Sequence, residues 1–230
     1  MAEAGLNIVL PLGEAAFDQA CAIVGAPRLR ELRDSGVAAL LIGSGGRVFF
    51  DRFIAATDCD DGKPNPLDRF TRAEVEATVR DSLGAAIGHG IFFPFVGAGP
   101  PLPFQRLGRA AGLGAPGPLG MQIHPQFGPW WAYRALVIVD VALPVETPPG
   151  DGCAGCDAPC VAACPARAVA ITGFVYSACR ANRLCDPACH LACAARSRCI
   201  RGPEQRYSER QLAFHMAASM PKADPDTGKP

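Results

Sequence analysis

The stretch Cys153-Ala-Gly-Cys156-Asp-Ala-Pro-Cys160-Val-Ala-Ala-Cys164-Pro165 begins the segment around which the rest of the chain is organised. Five further cysteines follow it at positions 179, 185, 189, 193 and 199, so 47 residues hold nine of the eleven cysteines. Closely spaced thiolates are soft ligands that suit an iron–sulfur cluster or a structural zinc ion. The stretch therefore predicts a metal-binding segment.

The cysteines form two runs, each with three intervening residues where ferredoxins usually have two. The first run ends in Cys164-Pro165, and a cysteine followed by proline is typical of two-cluster ferredoxins, in which it ligates the cluster of the other run. A zinc site needs four ligands, usually in paired Cys-x2-Cys turns. We therefore predict two [4Fe–4S] clusters, with structural zinc as one alternative and unliganded or disulfide-bonded cysteines as another.

Two clusters need eight thiolates, and the segment offers nine. The crossover predicts that Cys153, Cys156 and Cys160 take their fourth ligand from the end of the second run. Cys164 would join Cys179 and two cysteines of that run. If the run ends at Cys193, Cys199 is spare, and if it ends at Cys199, Cys185 is spare. All nine are candidate metal ligands: Cys153, Cys156, Cys160, Cys164, Cys179, Cys185, Cys189, Cys193 and Cys199.

Composition and charge restrict the class of protein to which this chain can belong. The chain has 230 residues, 49% hydrophobic and 19% charged, with zero net charge, so no electrostatic argument favours a nucleic acid or an anionic membrane. No apolar run reaches the length of a bilayer span, and Ala135–Val139, for example, ends at Asp140. The N-terminus lacks the basic start of a secretory signal. We therefore expect a cytoplasmic protein with no membrane and no nucleic-acid partner, in which cysteines bind metal rather than form disulfides.

The charges of the cysteine segment are mostly basic. Six arginines (Arg167, Arg180, Arg183, Arg196, Arg198 and Arg201) stand against Asp151, Asp157 and Asp186. These arginines would partly offset the negative charge of cluster-bound thiolates, or they form an ordinary solvated surface.

Hydrophobic patterns predict helices interleaved with strands, and hence an α/β or α+β fold. Apolar runs predict strands at 36–43, 88–95 and 131–139. Helical spacing predicts helices at 14–33, with Gly25-Ala-Pro27 as a candidate break, and at 48–53 and 104–113. Thr71 with Glu74 has the pattern of a capping box, and Ser208 is a predicted N-cap. The Gly43-Ser-Gly-Gly46 stretch is predicted to be a plain turn, with a phosphate cradle as the alternative because the fuller dinucleotide fingerprint is missing.

A composition change at residues 144–152, rich in proline and glycine, predicts a linker. The predicted organisation is a core at 1–148, a two-cluster insert at 149–202, a helix returning to the core at 203–220, and a frayed tail at 221–230. Cys21 and Cys59 lie far from the insert and are predicted to be core or surface residues.

Two resemblances follow from these motifs. The insert, with Cys164-Pro165 and the isolated Cys179, resembles the ferredoxin part of epoxyqueuosine reductases and reductive dehalogenases, which place two [4Fe–4S] clusters beside a corrinoid. The stretch Ile123-His-Pro-Gln-Phe-Gly-Pro-Trp-Trp-Ala-Tyr-Arg134 is similar to the Ile-His-Pro-Arg-Phe-Gly-Gly-Trp-Phe-Ala-Ile-Arg signature of the cobalamin-processing chaperones MMACHC (CblC). Gln205–Gln211 resembles their Glu-Arg-Tyr-Ser-Glu-Glu-Gln segment, with weaker matches at Phe50–Arg52 and Asn65–Asp68.

The resemblance to the chaperones implies a nitroreductase-like core that holds cobalamin and removes its upper ligand reductively. Their glutathione-contacting arginines match Arg134 and Arg206, for which an internal salt bridge is the alternative. Trp130 and Trp131 would form a pocket wall, or else belong to the ordinary core. The segment Phe92–Leu113 has no match to the chaperones' cobalamin-contacting region, and the tRNA-binding parts of epoxyqueuosine reductases have no counterpart here.

The sequence thus leads to the hypothesis of an iron–sulfur oxidoreductase. An external electron-donor protein would reduce its two clusters, and these would pass electrons to a bound corrinoid, or alternatively to a flavin. The competing hypothesis is a ferredoxin-like electron carrier without a substrate of its own.

Overall fold

The computed structural model describes residues 2–56, 61–95, 99–144, 150 and 152–220. It divides the chain into two compact units. The first comprises Met1–Gly114 and Trp131–Gly150, and the second comprises Ala115–Trp130 and Asp151–Pro230. Helices and strands alternate along the chain, which confirms the predicted α/β class.

The strands and helices have the following bounds. The strands are β1 (Ile8–Gly13), β2 (Ala38–Gly45), β3 (His89–Phe92), β4 (Trp131–Val139), β5 (Val169–Ala170) and β6 (Gly173–Phe174). The helices are α1 (Glu14–Ala22), α2 (Leu29–Leu32), α3 (Val48–Ala55), α4 (Pro66–Leu83), α5 (Phe104–Gly108), α6 (Pro159–Ala162), α7 (Tyr176–Cys185), α8 (Ala188–Leu191), α9 (Ala194–Ser197) and α10 (Glu209–Ala218). A π-helical turn, Arg109–Leu113, continues α5.

The first unit is built on a four-stranded antiparallel sheet with strand order β1-β2-β4-β3. The two central strands are the continuous apolar runs of the sequence, and Leu41 lies opposite Leu136 between them. Strands buried on both faces lack polar alternation, which is why these runs predict strands correctly. Pro11 occupies edge strand β1, where its missing N–H is tolerated.

Helices α3 and α4 cover the hydrophobic core of this sheet. Phe49 from α3 packs edge-on against Phe70 from α4, with ring centroids 5.3 Å apart. Val75 and Val79, one turn apart on α4, are buried in the same cluster as Ile42 from the sheet. This apolar layer, rather than any bound group, holds the first unit together.

Three details of the helices differ from or sharpen the sequence predictions. The predicted helix at 14–33 is two helices, α1 and α2, because Gly25 turns with a φ of 67° and Pro27 cannot continue a helix. The capping box at Thr71 is wrong, since α4 begins at Pro66, after Asn65, and Thr71 is buried within it. The N-cap at Ser208 is confirmed, because its Oγ accepts a hydrogen bond from the Gln211 N–H at 3.2 Å.

Most of the glycine-rich stretch Gly43–Gly46 is strand. Gly43, Ser44 and Gly45 are the last residues of β2, so the prediction of a turn is wrong for them, and the chain turns only from Gly46, which has a φ of 73°. The Asn7 side chain accepts a hydrogen bond from the Gly45 N–H at 2.7 Å and donates one to the Gly45 carbonyl at 3.1 Å. The Gly45 amide that a phosphate cradle would use is therefore already bonded.

The second unit consists of short elements around a small core. Its buried members are Leu119, Ile123, Ala158, Cys160, Val169 and Ala195, with further cysteines packed against them. Strands β5 and β6 form a short antiparallel hairpin in which two residues of each strand are paired. Residues 115–130 and helix α10 belong to this second unit. The predicted boundaries instead assign residues 115–130 to the core at 1–148 and describe the helix at 203–220 as returning to that core. Cys59, most of the predicted linker and the predicted tail lie outside the described residues.

Among the described helices, none is both long and apolar enough to cross a membrane.

Candidate metal centres

The second unit contains a cavity of about 280 Å³ on which four cysteines converge. Three come from the first run and one from the end of the second: Cys153, Cys156, Cys160 and Cys199. Apolar side chains, including Leu119, Ile123 and Ile171, supply most of the remaining wall. The cavity is therefore a largely apolar chamber whose polar groups are mainly thiols.

A second cavity of about 200 Å³ in the same unit is lined by four other cysteines: Cys164, Cys179, Cys189 and Cys193. Its wall also includes Met121, Phe174 and Ala195. Cys185 lines neither cavity, and its side chain is exposed. Of the two arrangements that the sequence leaves open, this geometry corresponds to the one in which Cys185 is spare.

The thiols of each cavity influence one another electrically. Burial, followed by the neighbouring Cys199 and Cys156, raises the pKa of the Cys160 thiol. Burial, followed by Cys193, raises the pKa of Cys179, while Arg183 opposes that rise. The interacting pairs fall within the same two groups of four that line the cavities. Because these thiols resist ionisation, a cation is needed to hold them as thiolates.

The two cavities are large enough for a group of several atoms. Each is several times larger than the roughly 30 Å³ share of one water molecule, and each is bordered by four cysteines. In the part of the chain that the structure describes, no three cysteine, histidine or carboxylate side chains form a close group of the kind that holds one metal ion. Four thiolates around such a volume are compatible with the corners of an iron–sulfur cluster.

Hydrogen-bond donors approach three of the sulfur atoms. The Ala158 N–H donates to Cys156 Sγ at 3.4 Å, and the Arg196 N–H donates to Cys193 Sγ at the same distance. The Asn182 side-chain amide donates to Cys189 Sγ at 3.2 Å. Hydrogen bonds to ligand sulfurs stabilise the thiolate and are among the factors that set a cluster's reduction potential.

Arginines of the segment lie beside both cavities. Arg201 lines the first, and its guanidinium donates to the carbonyls of Gly152 and Ala154, each at 2.8 Å. Arg183 and Arg196 line the second, where Arg183 donates to the carbonyls of Met216 and Ser219 and Arg196 donates to that of Pro129. Their positive charges beside the cavity would favour an anionic group such as a cluster carried by four thiolates.

Gly117 makes room for Cys153. A Cβ at position 117 would lie 2.7 Å from Cys153 Sγ and 3.3 Å from the Ile123 side chain. The segment 115–130 therefore approaches the first cavity so closely that only glycine fits. Sequence reasoning does not single out Gly117 or Asn182, because neither belongs to a cysteine motif or a periodic pattern.

The four residues predicted to bind a cofactor divide between the units. Trp131 and Arg134 belong to the first unit, and Trp130 and Arg206 belong to the second. None of the four lines either cysteine cavity. Trp130 is buried, with its ring 5.5 Å from that of Tyr207, and the Arg196 guanidinium lies 4.9 Å from the Trp130 ring.

Arg134 is buried in the first unit with partners of its own. Its Nε donates to Ser44 Oγ at 2.7 Å, and its guanidinium lies 4.5 Å over the Phe49 ring. Burial raises the pKa of Asp68, and the nearby Arg134 charge opposes that rise. Arg134 thus has a hydrogen-bond partner and a ring contact within its own unit.

His124, in the chaperone-like stretch, stabilises a tight loop. Its Nδ1 accepts hydrogen bonds from the N–H groups of Gln126 at 3.1 Å and Phe127 at 3.3 Å. Burial lowers the pKa of His124 to about 4, so the ring is neutral and keeps Nδ1 as an acceptor near neutral pH. The side chain is thus engaged within the loop.

Comparisons with known proteins give partial matches. No family model matches the chain. Parts of it are 34% identical to epoxyqueuosine reductases, over 82 residues in Aliivibrio fischeri and 95 in Vibrio cholerae. The matches cover 36% and 41% of this chain but only 21% and 25% of those relatives.

Two solved structures share the fold over most of the chain. An epoxyqueuosine reductase crystallised with an epoxyqueuosine-modified tRNA stem loop gives a TM-score of 0.58 at 14% identity, covering 100% of this chain and 68% of that one. The Caenorhabditis elegans B12-trafficking protein CblC gives 0.56 at 16% identity, covering 93% and 86%. The chain is therefore similar to epoxyqueuosine reductases in partial sequence and fold, and to CblC in fold.

Proposed function

We propose that this protein is an iron–sulfur reductase that holds two [4Fe–4S] clusters. The first would be bound by Cys153, Cys156, Cys160 and Cys199, and the second by Cys164, Cys179, Cys189 and Cys193. One observation carries the proposal: four cysteines border each of two cavities. The first cavity takes three cysteines from the first run and Cys199 from the end of the segment. The second takes two cysteines from the second run, together with Cys164 and Cys179. The partial sequence similarity to epoxyqueuosine reductases supports a reductase rather than a simple binding module.

Clusters of this kind supply one-electron transfer when bound. The protein's own residues bind and insulate them. Apolar walls exclude water, the Ala158 and Arg196 amides donate to ligand sulfurs, and Arg183 and Arg196 offset negative charge beside the second cavity. A thiol of raised pKa, such as that of Cys199, would lose its proton when iron binds.

The acceptor in this proposal is a corrinoid, with a flavin as the alternative. Its support is the fold shared with a B12-trafficking protein and with epoxyqueuosine reductases. Trp130, Trp131, Arg134 and Arg206 are the residues proposed to contact it. The electrons would come from an external donor protein.

Anaerobic reconstitution tests the clusters. Iron and acid-labile sulfide should each approach about eight atoms per chain, and the dithionite-reduced protein should give EPR signals of two [4Fe–4S]⁺ centres. Zinc without sulfide would contradict the proposal.

A matched cysteine pair tests the ligand assignment. Cys199→Ser should lose about half of the iron and one of the two EPR signals, because it removes a corner of the first cavity. Cys185→Ser should keep full iron and both signals, because that exposed side chain lines neither cavity. The reverse outcome would exchange the roles of the two residues and contradict the assignment.

Optical spectra test the acceptor. Holoprotein mixed with cob(III)alamin should perturb the corrinoid spectrum and accelerate its reduction by a low-potential donor, relative to the donor alone. A protein with intact clusters that does neither would be an electron carrier without this acceptor.

The tRNA-bound relative favours a second candidate, reduction of a modified nucleoside in tRNA. This candidate conflicts with the prediction of no nucleic-acid partner, which rests on zero net charge. Binding of an epoxyqueuosine-modified stem loop, in preference to the unmodified RNA, would favour it over corrinoid processing alone. Equal or absent binding would count against it.

A further inference from the structure

A short surface on the β5–β6 hairpin exposes large apolar side chains. Ile171 is 70% exposed and Tyr176 is 65% exposed, and Phe174 and Val175 between them are exposed as well. We call Ile171, Phe174, Val175 and Tyr176 the hairpin surface. Four large apolar side chains within six positions are more than the scattered single residues that protein surfaces ordinarily carry, and such groups mark interaction sites.

The hairpin surface borders both cysteine cavities. Ile171 lines the first cavity, and Phe174 lines the second. Phe174 packs closely against Gly120, because a Cβ at position 120 would lie 3.0 Å from the Phe174 ring. The same two-stranded element is therefore a common wall of both candidate cluster sites and an exposed apolar surface.

Charge around the hairpin surface has one sign. No acidic residue occurs between Asp157 and Asp186, whereas Arg167, Arg180 and Arg183 lie in that interval. Arg167 is exposed beside the hairpin, and Arg180 follows Tyr176 by four positions on α7, so these two share a helix face. An apolar centre with a basic rim complements a partner whose own apolar contact area has an acidic rim.

We propose that the hairpin surface is the docking site of a small acidic one-electron carrier protein. This inference rests on the proposed function, because it assigns the route by which electrons reach the clusters. The reduced carrier loses one electron and an oxidised cluster gains it, and no covalent bond forms or breaks. Such encounters use small interfaces, for which a few exposed apolar residues suffice.

The aliphatic members of the surface favour a protein over RNA. Single-stranded nucleic acid binds by stacking its bases on aromatic side chains in a basic groove. Ile171 and Val175 offer no stacking plane, and Ile171 is the most exposed member. The proposal therefore commits to a protein carrier.

Stopped-flow reduction of the holoprotein tests this inference, with flavodoxin hydroquinone as the probe. Val175→Asp and Tyr176→Glu place carboxylates on the hairpin surface, at positions that line neither cavity. There they would repel an acidic carrier and remove apolar contact. Each should lower the second-order rate of cluster reduction by about tenfold or more. Raising the ionic strength should slow the unaltered protein strongly, because screening weakens the attraction to the basic rim.

Two controls accompany the variants. Ile23→Asp changes an exposed isoleucine in the first unit and should leave the rate unchanged. Dithionite, which needs no docking protein, should reduce the clusters of all variants as in the unaltered protein, with the same EPR signals. If no protein gives cluster signals with dithionite, the proposed function fails and the docking proposal falls with it.

The remaining outcomes concern docking alone. The docking proposal would be overturned if dithionite reduces the clusters normally but flavodoxin reduces all variants at the same rate. It would also be overturned if flavodoxin does not reduce the unaltered protein. A tRNA stem loop that binds the unaltered protein and not Tyr176→Glu would likewise overturn it, since the surface would then belong to RNA. A selective rate loss in the hairpin variants supports it.

Discussion

The two units of this chain are stabilised in different ways. The first closes a four-stranded sheet and two helices over large apolar side chains such as Phe49, Val79 and Val137. In the second, the apolar group packed against the cysteines has six buried members, of which two are alanines and one is Cys160, and eight cysteines border two cavities. Trp130 and Tyr207 are buried in this unit as well, but they line neither cavity.

This difference indicates where each unit obtains its stability. A small domain with few large buried side chains gains little from hydrophobic burial, and such domains usually depend on a metal or on disulfides. Metal binding to a site that does not exist in the unfolded chain contributes directly to the free energy of folding. We therefore expect the second unit to depend on the proposed clusters for its stability more than the first does.

Removal of iron tests this contrast most severely. Chelation of the holoprotein should leave residues 152–220 open to proteolysis and to fast amide exchange, while the β2–β4 region keeps its protection. Limited proteolysis with mass spectrometry locates the cuts. Equal protection of both units after iron removal would show that the second unit folds without clusters.

Truncation of the first core tests the other side of the contrast. Phe49→Ala removes a buried ring that packs against Phe70, and it should lower the free energy of unfolding of the first unit by about 3–5 kcal/mol. Val48→Ala, on the exposed face of the same helix, should change it by less than about 0.5 kcal/mol. Amide exchange in β2 measures both. A parallel fall in iron content would mean that the units are not independent.

Acid should weaken the second unit through His124. Because burial lowers the folded pKa of His124 to about 4 from 6.5, the unfolded chain binds more protons between these values. The contribution of neutral His124 to the free energy of unfolding is therefore complete above pH 6.5 and is lost as the pH falls towards 4. The loss should be about 2 kcal/mol or less, since part of the ring is exposed.

The matched variant for this prediction is His124→Asn. Its side-chain oxygen can accept from the same two amides without titrating, so the added loss below pH 6.5 should vanish. Amide exchange at Gln126 and Phe127 between pH 7.5 and 4.5 measures the difference. Identical pH profiles for the two proteins would contradict the assignment.

The smallest effect is expected at the N-terminus of α10. Ser208→Ala removes the hydrogen bond to the Gln211 N–H and should cost about 1 kcal/mol of local stability. Ser208→Asp keeps an acceptor there and should restore protection of the first turn. If both variants exchange like the unaltered protein, the cap contributes nothing measurable.

Sequence reasoning succeeds here where one local signal dominates. The runs at β2 and β4 are mainly apolar, so they predict central strands. It fails where context decides. The hydrophobic patterns predict no strand at Ile8–Gly13, yet β1 forms there at the edge of the sheet, where the missing N–H of Pro11 is tolerated. The Thr71 pattern resembles a cap, but the helix had already begun at Pro66.

The candidate site shows the same division. The nine cysteines are candidate ligands from spacing alone, because soft ligands in short runs have few other uses. Which of them border a cavity is not evident from spacing, because it depends on the folded path of the segment, in which Cys199 borders the first cavity and Cys185 borders neither. The contribution of residues 115–130 also escapes sequence reasoning, since Gly117 meets Cys153 across 36 positions without any periodic signal.

The exchange of cysteines between the runs has a consequence for biosynthesis. The first cavity is complete only when Cys199 is in place, although its other three cysteines are made more than 38 residues earlier. The second needs Cys193 to meet Cys164, which emerges 29 residues before it. During synthesis, the thiols of the first run would therefore leave the ribosome before the last cysteine of either cavity has been made. We expect cluster delivery to follow synthesis of the segment as one late step, and oxidation to compete with it during that interval.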